Sequence, residues 1–219
     1  MRGVVLVSGG MDSLVTAAIA ARDCSDIFFL HVNYGQRTEQ REMMAFQKIR
    51  EFYQPVNSLI CDLAYLKQIG SSSLVDYTIP LDSEIKEGQI PNTYVPFRNA
   101  HLLAIAASWA ETVAADRIYI GAVEEDSSGY PDCREAFLIA FNKAINQGTK
   151  DLTELKIVAP LLHLSKKDII LQGMDLKAPF EYSWSCYQEN EIACGKCVSC
   201  LLRLKAFKDA GIKDPIPYR

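Results

Sequence analysis

The stretch Val4-Val5-Leu6-Val7-Ser8-Gly9-Gly10-Met11-Asp12-Ser13 decides how this chain is read. Its apolar, β-branched run, beginning at Gly3, predicts a strand buried on both faces, as in a parallel sheet. Two glycines then free the backbone to turn tightly and to point its N–H groups inward. Asp12 and Ser13 open a helix that Leu14, Val15, Ala17, Ala18 and Ile19 continue. The positive end of that helix, with its unpaired N–H groups, faces the turn, where an anion the size of pyrophosphate is best stabilised. An ordinary strand, turn and capped helix is the plainer alternative. Paired glycines flanked by hydroxyls and a carboxylate, directly after the apolar run, argue against it.

From this stretch outward the chain alternates. Strands are expected over 27–32, 56–61, 117–121 and 157–158, with helices over 38–52, 99–115 and 135–145 and another from Lys166. In the helix over 38–52, Met43, Met44, Phe46 and Ile49 are expected inward. Alternation of this kind predicts a parallel α/β sheet with helices on both faces. Residues 70–96 carry Ser71-Ser72-Ser73, Pro80, Gly88 and Pro91 without a clear period and read as a long irregular excursion, often a lid in enzymes. No repeat or low-complexity tract interrupts the pattern.

Composition narrows the function classes. With 219 residues, 49% of them hydrophobic, the chain suits one compact domain and a small appendage. The net charge is −4, and no Lys/Arg stripe is long enough to track a nucleic-acid backbone, so direct nucleic-acid binding is not expected. No apolar run reaches bilayer length, and the first strand meets its glycine turn too early for a signal peptide. A cytoplasmic protein without membrane contact is the expectation.

Of seven cysteines, Cys186, Cys194, Cys197 and Cys200 fall together near the end of the chain. A Cys-x-x-Cys pair lets two thiolates reach one ion across a tight turn, Gly195 supplies the flexible backbone, and Cys200 sits at a helix start that favours thiolate. Four sulfur ligands favour Zn²⁺ in a closed structural site. An iron–sulfur cluster remains the alternative, and disulfides fit poorly with a cytosolic chain of odd cysteine count. Cys24 and Cys61 read as small core residues. Residues 1–180 are thus expected to form the nucleotide-binding α/β domain, with 181–219 as a zinc-binding helical region packed on it.

Polar clusters lie between the two motifs. His31-Val32-Asn33-Tyr34-Gly35-Gln36-Arg37 follows the second strand at the carboxyl end, where open α/β sheets bind ligands. His31 and Asn33 should share a face, in a binding role or simply in a hydrogen-bonded loop. Val95-Pro96-Phe97-Arg98-Asn99 opens a helix, and Arg98 adds positive charge to a helix N-terminus. Gly129-Tyr130-Pro131-Asp132-Cys133-Arg134 follows the acidic run Glu124-Glu125-Asp126, which reads as a solvated loop. Arg98 and Arg134 suit carboxylate or phosphate recognition, because guanidinium forks pair bidentately with both. Asp132 adds a carboxylate to the last of these clusters, and Tyr34 and Phe97 are aromatic rings in the two preceding ones. Cys133 has no activating histidine at fixed spacing and stays outside the catalytic set.

Ser-Gly-Gly-x-Asp-Ser resembles the PP-loop of the ATP pyrophosphatases; neither Gly-Lys-Ser/Thr nor Gly-x-Gly-x-x-Gly is present. Together with HVNYGQR, VPFRN, GYPDCR and the terminal SWSCYQENEIACGKCVSCLLRLKAF, the loop makes the chain similar, nearly end to end, to the 7-cyano-7-deazaguanine synthase family of queuosine biosynthesis. The resemblance implies a doubly wound, mostly parallel sheet and conversion of 7-carboxy-7-deazaguanine, ammonia and ATP into the nitrile. It assigns nucleotide binding to Val7, Ser8, Gly9, Gly10, Met11, Asp12, Ser13, Leu14, Val15, Thr16 and Ala17. Asp12 would help to place Mg²⁺ on the departing pyrophosphate. Catalytic roles fall to Asp12, Ser13 and Lys166, although a solvated helix lysine explains Lys166 equally well. Substrate contacts are expected from Tyr34, Arg37, Phe97, Arg98, Asn99, Asp132 and Arg134, metal ligation from the four terminal cysteines, and assembly as a homodimer.

Overall fold

A computed structural model of the chain describes residues 1–82, 89–124 and 129–219. Five parallel strands, β1 (Arg2–Leu6), β2 (Asp26–Asn33), β3 (Asn57–Asp62), β4 (Arg117–Tyr119) and β5 (Lys156–Val158), form one sheet in the order β3-β2-β1-β4-β5. The chain leaves β1 toward β2 and β3 on one side and then crosses to β4 and β5 on the other. The order therefore reverses between β1 and β4, and a crevice opens at their carboxyl ends.

Alternate residues of β1 feed opposite faces of the sheet. Val4 and Leu6 join an apolar layer with α4 (Arg98–Thr112) and α5 (Glu135–Gly148), through Leu103, Ala106 and Leu138. Val5 and Val7 join the other layer, with α1 (Met11–Asp23), α2 (Glu39–Tyr53), α6 (Lys166–Asp175) and α7 (Val198–Asp209), through Leu14, Phe46, Ile169 and Phe207. Burial on both faces explains why β1 carries no polar side chain from Gly3 onward. The doubly wound architecture expected from the alternating pattern is the architecture found.

Several boundaries shift. The strand expected over 117–121 ends at Tyr119, and Gly121 then runs so close to the start of α1 that a Cβ there would lie 3.1 Å from the Ser13 nitrogen. Met44 is 52% exposed rather than inward, because Ala45, Phe46 and Ile49 define the buried face of α2 and Met44 lies off it. A short helix, α3 (Tyr65–Ile69), follows β3 without having been expected. Within the excursion, residues 70–82 and 89–96 form turns that bury Leu74, Val75 and Val95. Gly88, together with Glu125 and Asp126 of the acidic run, lies outside the described residues; Glu124 is exposed and accepts the Glu135 N–H at 3.3 Å.

The C-terminal region shares the main core. Ala206 and Phe207 of α7 pack into the α1 layer, whereas Trp184, Cys186, Ala193, Cys194, Cys197 and Cys200 form a third buried cluster with Ala45. Among the described residues no helix is long and apolar enough to cross a membrane.

Candidate nucleotide and substrate cleft with a sulfur cluster

The crevice at the β1–β4 reversal is a cleft of about 320 Å³ lined by residues of the Ser8–Ser13 turn, by Ile120 to Val123 beyond β4, and by Leu74, Pro91 and Thr93 of the excursion. Gly9 has φ +92°, and a Cβ on it would lie 2.7 Å from the Glu42 carbonyl oxygen, so only glycine makes this turn without strain. The turn is braced internally. Ser13 Oγ donates to the Gly10 carbonyl at 2.9 Å, Ser8 Oγ donates to Ser13 Oγ at 3.2 Å, and the Gly10 N–H donates to Ser8 Oγ at 3.3 Å. Helix α1 begins at Met11, so the N–H groups of Met11, Asp12 and Ser13 have no carbonyl of their own helix behind them. Leu14, Val15 and Ala17 are buried in the helix beyond, and Thr16 Oγ1 donates to the Asp12 carbonyl.

Asp12 does not cap its helix. Its Oδ2 accepts from Lys166 Nζ at 2.8 Å across 154 residues of sequence, and its Oδ1 is buried with no hydrogen-bond partner among the described residues. An unsatisfied buried carboxylate oxygen is costly, and a cation arriving in the cleft would satisfy it. Lys166, at the first position of α6 behind the Ser165 cap, is only 13% exposed at its side chain, so it is not a solvated lysine.

Arg98 stands on the opposite wall. Its Nη1 donates to Tyr34 Oη at 2.9 Å, and the guanidinium carbon lies 5.2 Å from the Tyr34 ring centroid. Burial works against the Arg98 charge, but Tyr34, Tyr130, Cys133 and Asp132 around it outweigh that and keep it protonated. Burial pushes the Tyr34 hydroxyl up to about 12 and raises Tyr130 and Tyr187 as well, so all three remain neutral donors. Burial, with Asp132 nearby, pushes the Cys133 thiol up to about 11. It is therefore a thiol at neutral pH and accepts from Asn99 Nδ2 at 3.2 Å. His31 and Asn33 do share a face: His31 Nε2 meets Asn33 Oδ1 at 3.1 Å, and Nδ1 meets the Val7 carbonyl at 2.8 Å, which fixes β2 against the base of the turn.

Of the expected substrate residues, Tyr34, Arg98 and Asn99 line the cleft. The other four are placed elsewhere. Arg37 donates to the carbonyls of Ser73, Asp76 and Ile79, tying down the excursion. Asp132, 3% exposed, accepts the Asn99 N–H at 2.8 Å and holds the start of α4 from behind. Phe97, 54% exposed, packs edge-on against Phe137, and Arg134 is exposed at the start of α5. Sequence reasoning missed Glu42, Tyr130 and Tyr187 as lining residues. Tyr130 stands inside GYPDCR and Tyr187 directly after Cys186, so proximity to motifs was the available signal; Glu42 offered none beyond its place early in a helix.

The four terminal cysteines are buried, free of disulfides, and their sulfurs all lie within 4.8 Å of one another. A Zn–S bond of about 2.3 Å puts the sulfurs of a tetrahedron about 3.8 Å apart, and Cys194 and Cys200 are 3.9 Å apart. Backbone N–H groups of Gln188, Glu189 and Cys194 point at Cys186 Sγ, and those of Lys196 and Cys197 at Cys194 Sγ, which favours thiolate. Hydrogen bonds from Cys197 and Cys200, then from the Cys194 and Gln188 backbone, hold the Cys186 thiol well below the ordinary range. The donor set fits one thiophilic ion. Arg203, buried nearby, is paired with Asp214 at 2.8 Å and fixes α7 beneath the cluster.

Known proteins share this fold. Two solved structures have the same fold at low identity: a 4-thiouridine synthetase in complex with RNA and bound ATP (TM-score 0.54, 17% identity, 96% of this chain and 50% of that one), and the NMN synthetase of Francisella tularensis (TM-score 0.51, 12% identity, 96% and 77%). Proteins named 7-cyano-7-deazaguanine synthase are far nearer in sequence. That of Chloroherpeton thalassium is 54% identical over all of this chain and 97% of its own length. Those of Chlorobium phaeobacteroides and Chlorobaculum tepidum are 54% and 52% identical, over all of this chain and 97% and 96% of theirs. The family described as queuosine biosynthesis protein QueC matches residues 2–211, and the chain belongs to that family.

Proposed function

We propose that this protein converts 7-carboxy-7-deazaguanine, ammonia and ATP into 7-cyano-7-deazaguanine. The observation that carries the reading is the pairing, in one cleft, of a glycine turn at a helix start with a charged Arg98 set among neutral tyrosine donors. The relatives' names supply the substrate.

A carboxylate resists attack by ammonia because oxide is not a viable leaving group, so its oxygen must first be adenylated. In this reading the N–H groups of the turn hold the departing pyrophosphate, and Lys166 adds positive charge there. Asp12 would hold Mg²⁺ through its unpartnered oxygen, and the ion would neutralise charge on ATP. Ser13 positions the turn through Gly10 rather than acting as a nucleophile. Arg98 receives the acid, with Tyr34 flanking it, while Asn99, whose Nδ2 group donates to the Asp132 carbonyl and to Cys133 Sγ, lines the wall beside them. Loss of AMP to ammonia gives the amide, and a second adenylation, at the amide oxygen, leads to the nitrile. The same turn serves both activations. Arg37, Phe97, Asp132 and Arg134 support the walls of the cleft in this assignment.

The sulfur cluster is proposed to hold one structural Zn²⁺. Four thiolates leave no open coordination position, and a multi-iron cluster would hold the sulfurs farther apart than a single ion does. Mass spectrometry of a reaction containing the acid, ammonium and MgATP tests the function: the nitrile and a transient amide are expected. Consumption of ATP only with a different acid would overturn the substrate assignment.

A further inference from the structure

Among the described residues lining the cleft, the carboxylates are Asp12 and Glu42. Asp12 has Lys166 at 2.8 Å, whereas among the described residues no ion pair reaches Glu42. Its partners are neutral: Oε1 accepts from Thr38 Oγ1 at 2.9 Å and Oε2 from Gln36 Nε2 at 3.1 Å. A carboxylate offers about four acceptor positions, so each oxygen keeps one. The charged and titratable groups facing it are Arg98 from α4, Glu39 on its own helix and the Tyr34 hydroxyl. Arg98 directs its hydrogen bond to Tyr34. The other charged groups in the cleft, Lys166 and Arg203, are already paired with Asp12 and Asp214. Burial holds the Glu42 carboxyl above the ordinary range, against the pull of Thr38, Gln36 and Arg98. Its backbone carbonyl abuts Gly9, and Glu42 lines the same cleft as Ser8 and Gly10 of the glycine turn.

A half-buried carboxylate that lines a cleft with no ion-pair partner among the described residues is a costly feature, and an arriving cation or proton relieves it. The cleft needs such a group for a chemical reason. At neutral pH the ammonia in solution is overwhelmingly ammonium, which has no lone pair to attack with.

We propose that Glu42 binds ammonium in the cleft and takes a proton from it, generating the ammonia that attacks the activated carboxyl carbon. The assignment rests on the ammonia-dependent reading above. One N–H bond of ammonium breaks and its proton passes to a Glu42 oxygen. The freed lone pair forms the C–N bond, the C–O bond to the adenylate breaks, and AMP leaves with that electron pair. The nitrogen then loses one further proton to solvent, and Glu42 releases its own as the amide forms. Thr38 and Gln36 orient the carboxylate, so a purely local duty, holding the loop of Tyr34 to Thr38, is the competing explanation.

Two amines separate these explanations. Hydroxylamine is largely neutral near pH 7 and needs no base. In Glu42→Gln, kcat/KM for ammonium should fall about 10²-fold, while that for hydroxylamine falls less than about fivefold and the KM for ATP stays within about twofold. Equal losses with both amines would overturn the role of Glu42. The wild-type protein gives a reading that needs no variant. Between about pH 7 and about pH 8.5, kcat/KM calculated on total ammonia should change little, because ammonium itself is bound. A rise of about tenfold per pH unit would mean that free ammonia enters directly, and would overturn the proposal. If wild-type protein forms amide while the variant loses both amines equally, the role of Glu42 alone fails. If wild-type protein forms no amide with either amine, the functional reading fails and takes this one with it.

Discussion

The backbone N–H of Trp184 donates to the carbonyl of Gly9 at 2.8 Å. Gly9 makes the tight turn at the start of α1, the proposed phosphate turn, and Trp184 stands two residues before the cysteine Cys186, to whose carbonyl its indole N–H donates at 3.1 Å. Arg41 covers the Trp184 ring at 4.3 Å. The sulfur cluster and the phosphate turn are thereby joined by one short segment, residues 184–186, which also lines the cleft.

Stripping the Zn²⁺ proposed for the sulfur cluster should therefore loosen the turn as well as the C-terminal fold. A fall in Tm of more than about 5 °C is expected, with ATP binding weakened about tenfold, by thermal scanning and calorimetry on the same chelated sample. Cys194→Ser should likewise lose stability before it alters chemistry. ATP affinity unchanged in a destabilised apoprotein would show that the turn stands without the cluster.

For Asp12, capping and metal binding make opposite forecasts, and its side chain makes no capping bond. Asp12→Asn should leave the melting temperature within a few degrees, since only a partly exposed ion pair is lost. Turnover at saturating MgATP should drop about 10²-fold or more, because the oxygen aimed into the cleft loses its charge. Near-normal steady-state turnover would remove Asp12 from the machinery.

Arg37 reads in the sequence like a substrate contact and in the structure like a tie. Arg37→Ala strands three carbonyls of the excursion and should cost about 2–3 kcal/mol in denaturant unfolding. The KM for the acid should rise less than about fivefold. A loss of about 10²-fold or more in binding, with stability unchanged, would restore Arg37 to the substrate set.

The contrast between Arg37 and Lys166 shows where the sequence is legible. The strand, the paired glycines and the helix start lie within ten consecutive residues, and the cysteine ligands within fifteen, so their geometry is local. The alternation of strands and helices follows from burial on each face of the sheet. What side chains do across the sequence is a different matter. Arg37 is spent on carbonyls 36 to 42 residues away, and Asp132 turns toward Asn99 instead of the cleft. Glu42 looks like any acid in a helix's first turn until the fold brings its carbonyl against Gly9 and sets it in the wall of the cleft. Lys166 meets Asp12 only because α6 packs on α1.

His31 supplies a pH dependence. Burial lowers its folded pKa, against the hydrogen bonds of Val7 and Asn33, so the ring is neutral in the fold. The unfolded chain binds this proton near pH 6.5. The stability due to neutral His31 is thus complete above about pH 6.5 and is lost as the pH falls toward the lower folded value. Urea midpoints should fall between about pH 7.5 and about pH 5, and the fall should be smaller in His31→Gln. An unaltered slope in that variant would assign the pH dependence to other groups.

In the proposed function one glycine turn serves two transfers of AMP from ATP, each to an oxygen on the same carbon. The most direct test follows heavy oxygen from a carboxylate labelled at both positions into the nucleotide products, by mass spectrometry under MgATP and ammonium. Two adenylations predict two labelled AMP molecules for each nitrile and no label in orthophosphate. Label recovered in orthophosphate, or a single labelled AMP per nitrile, would contradict the account.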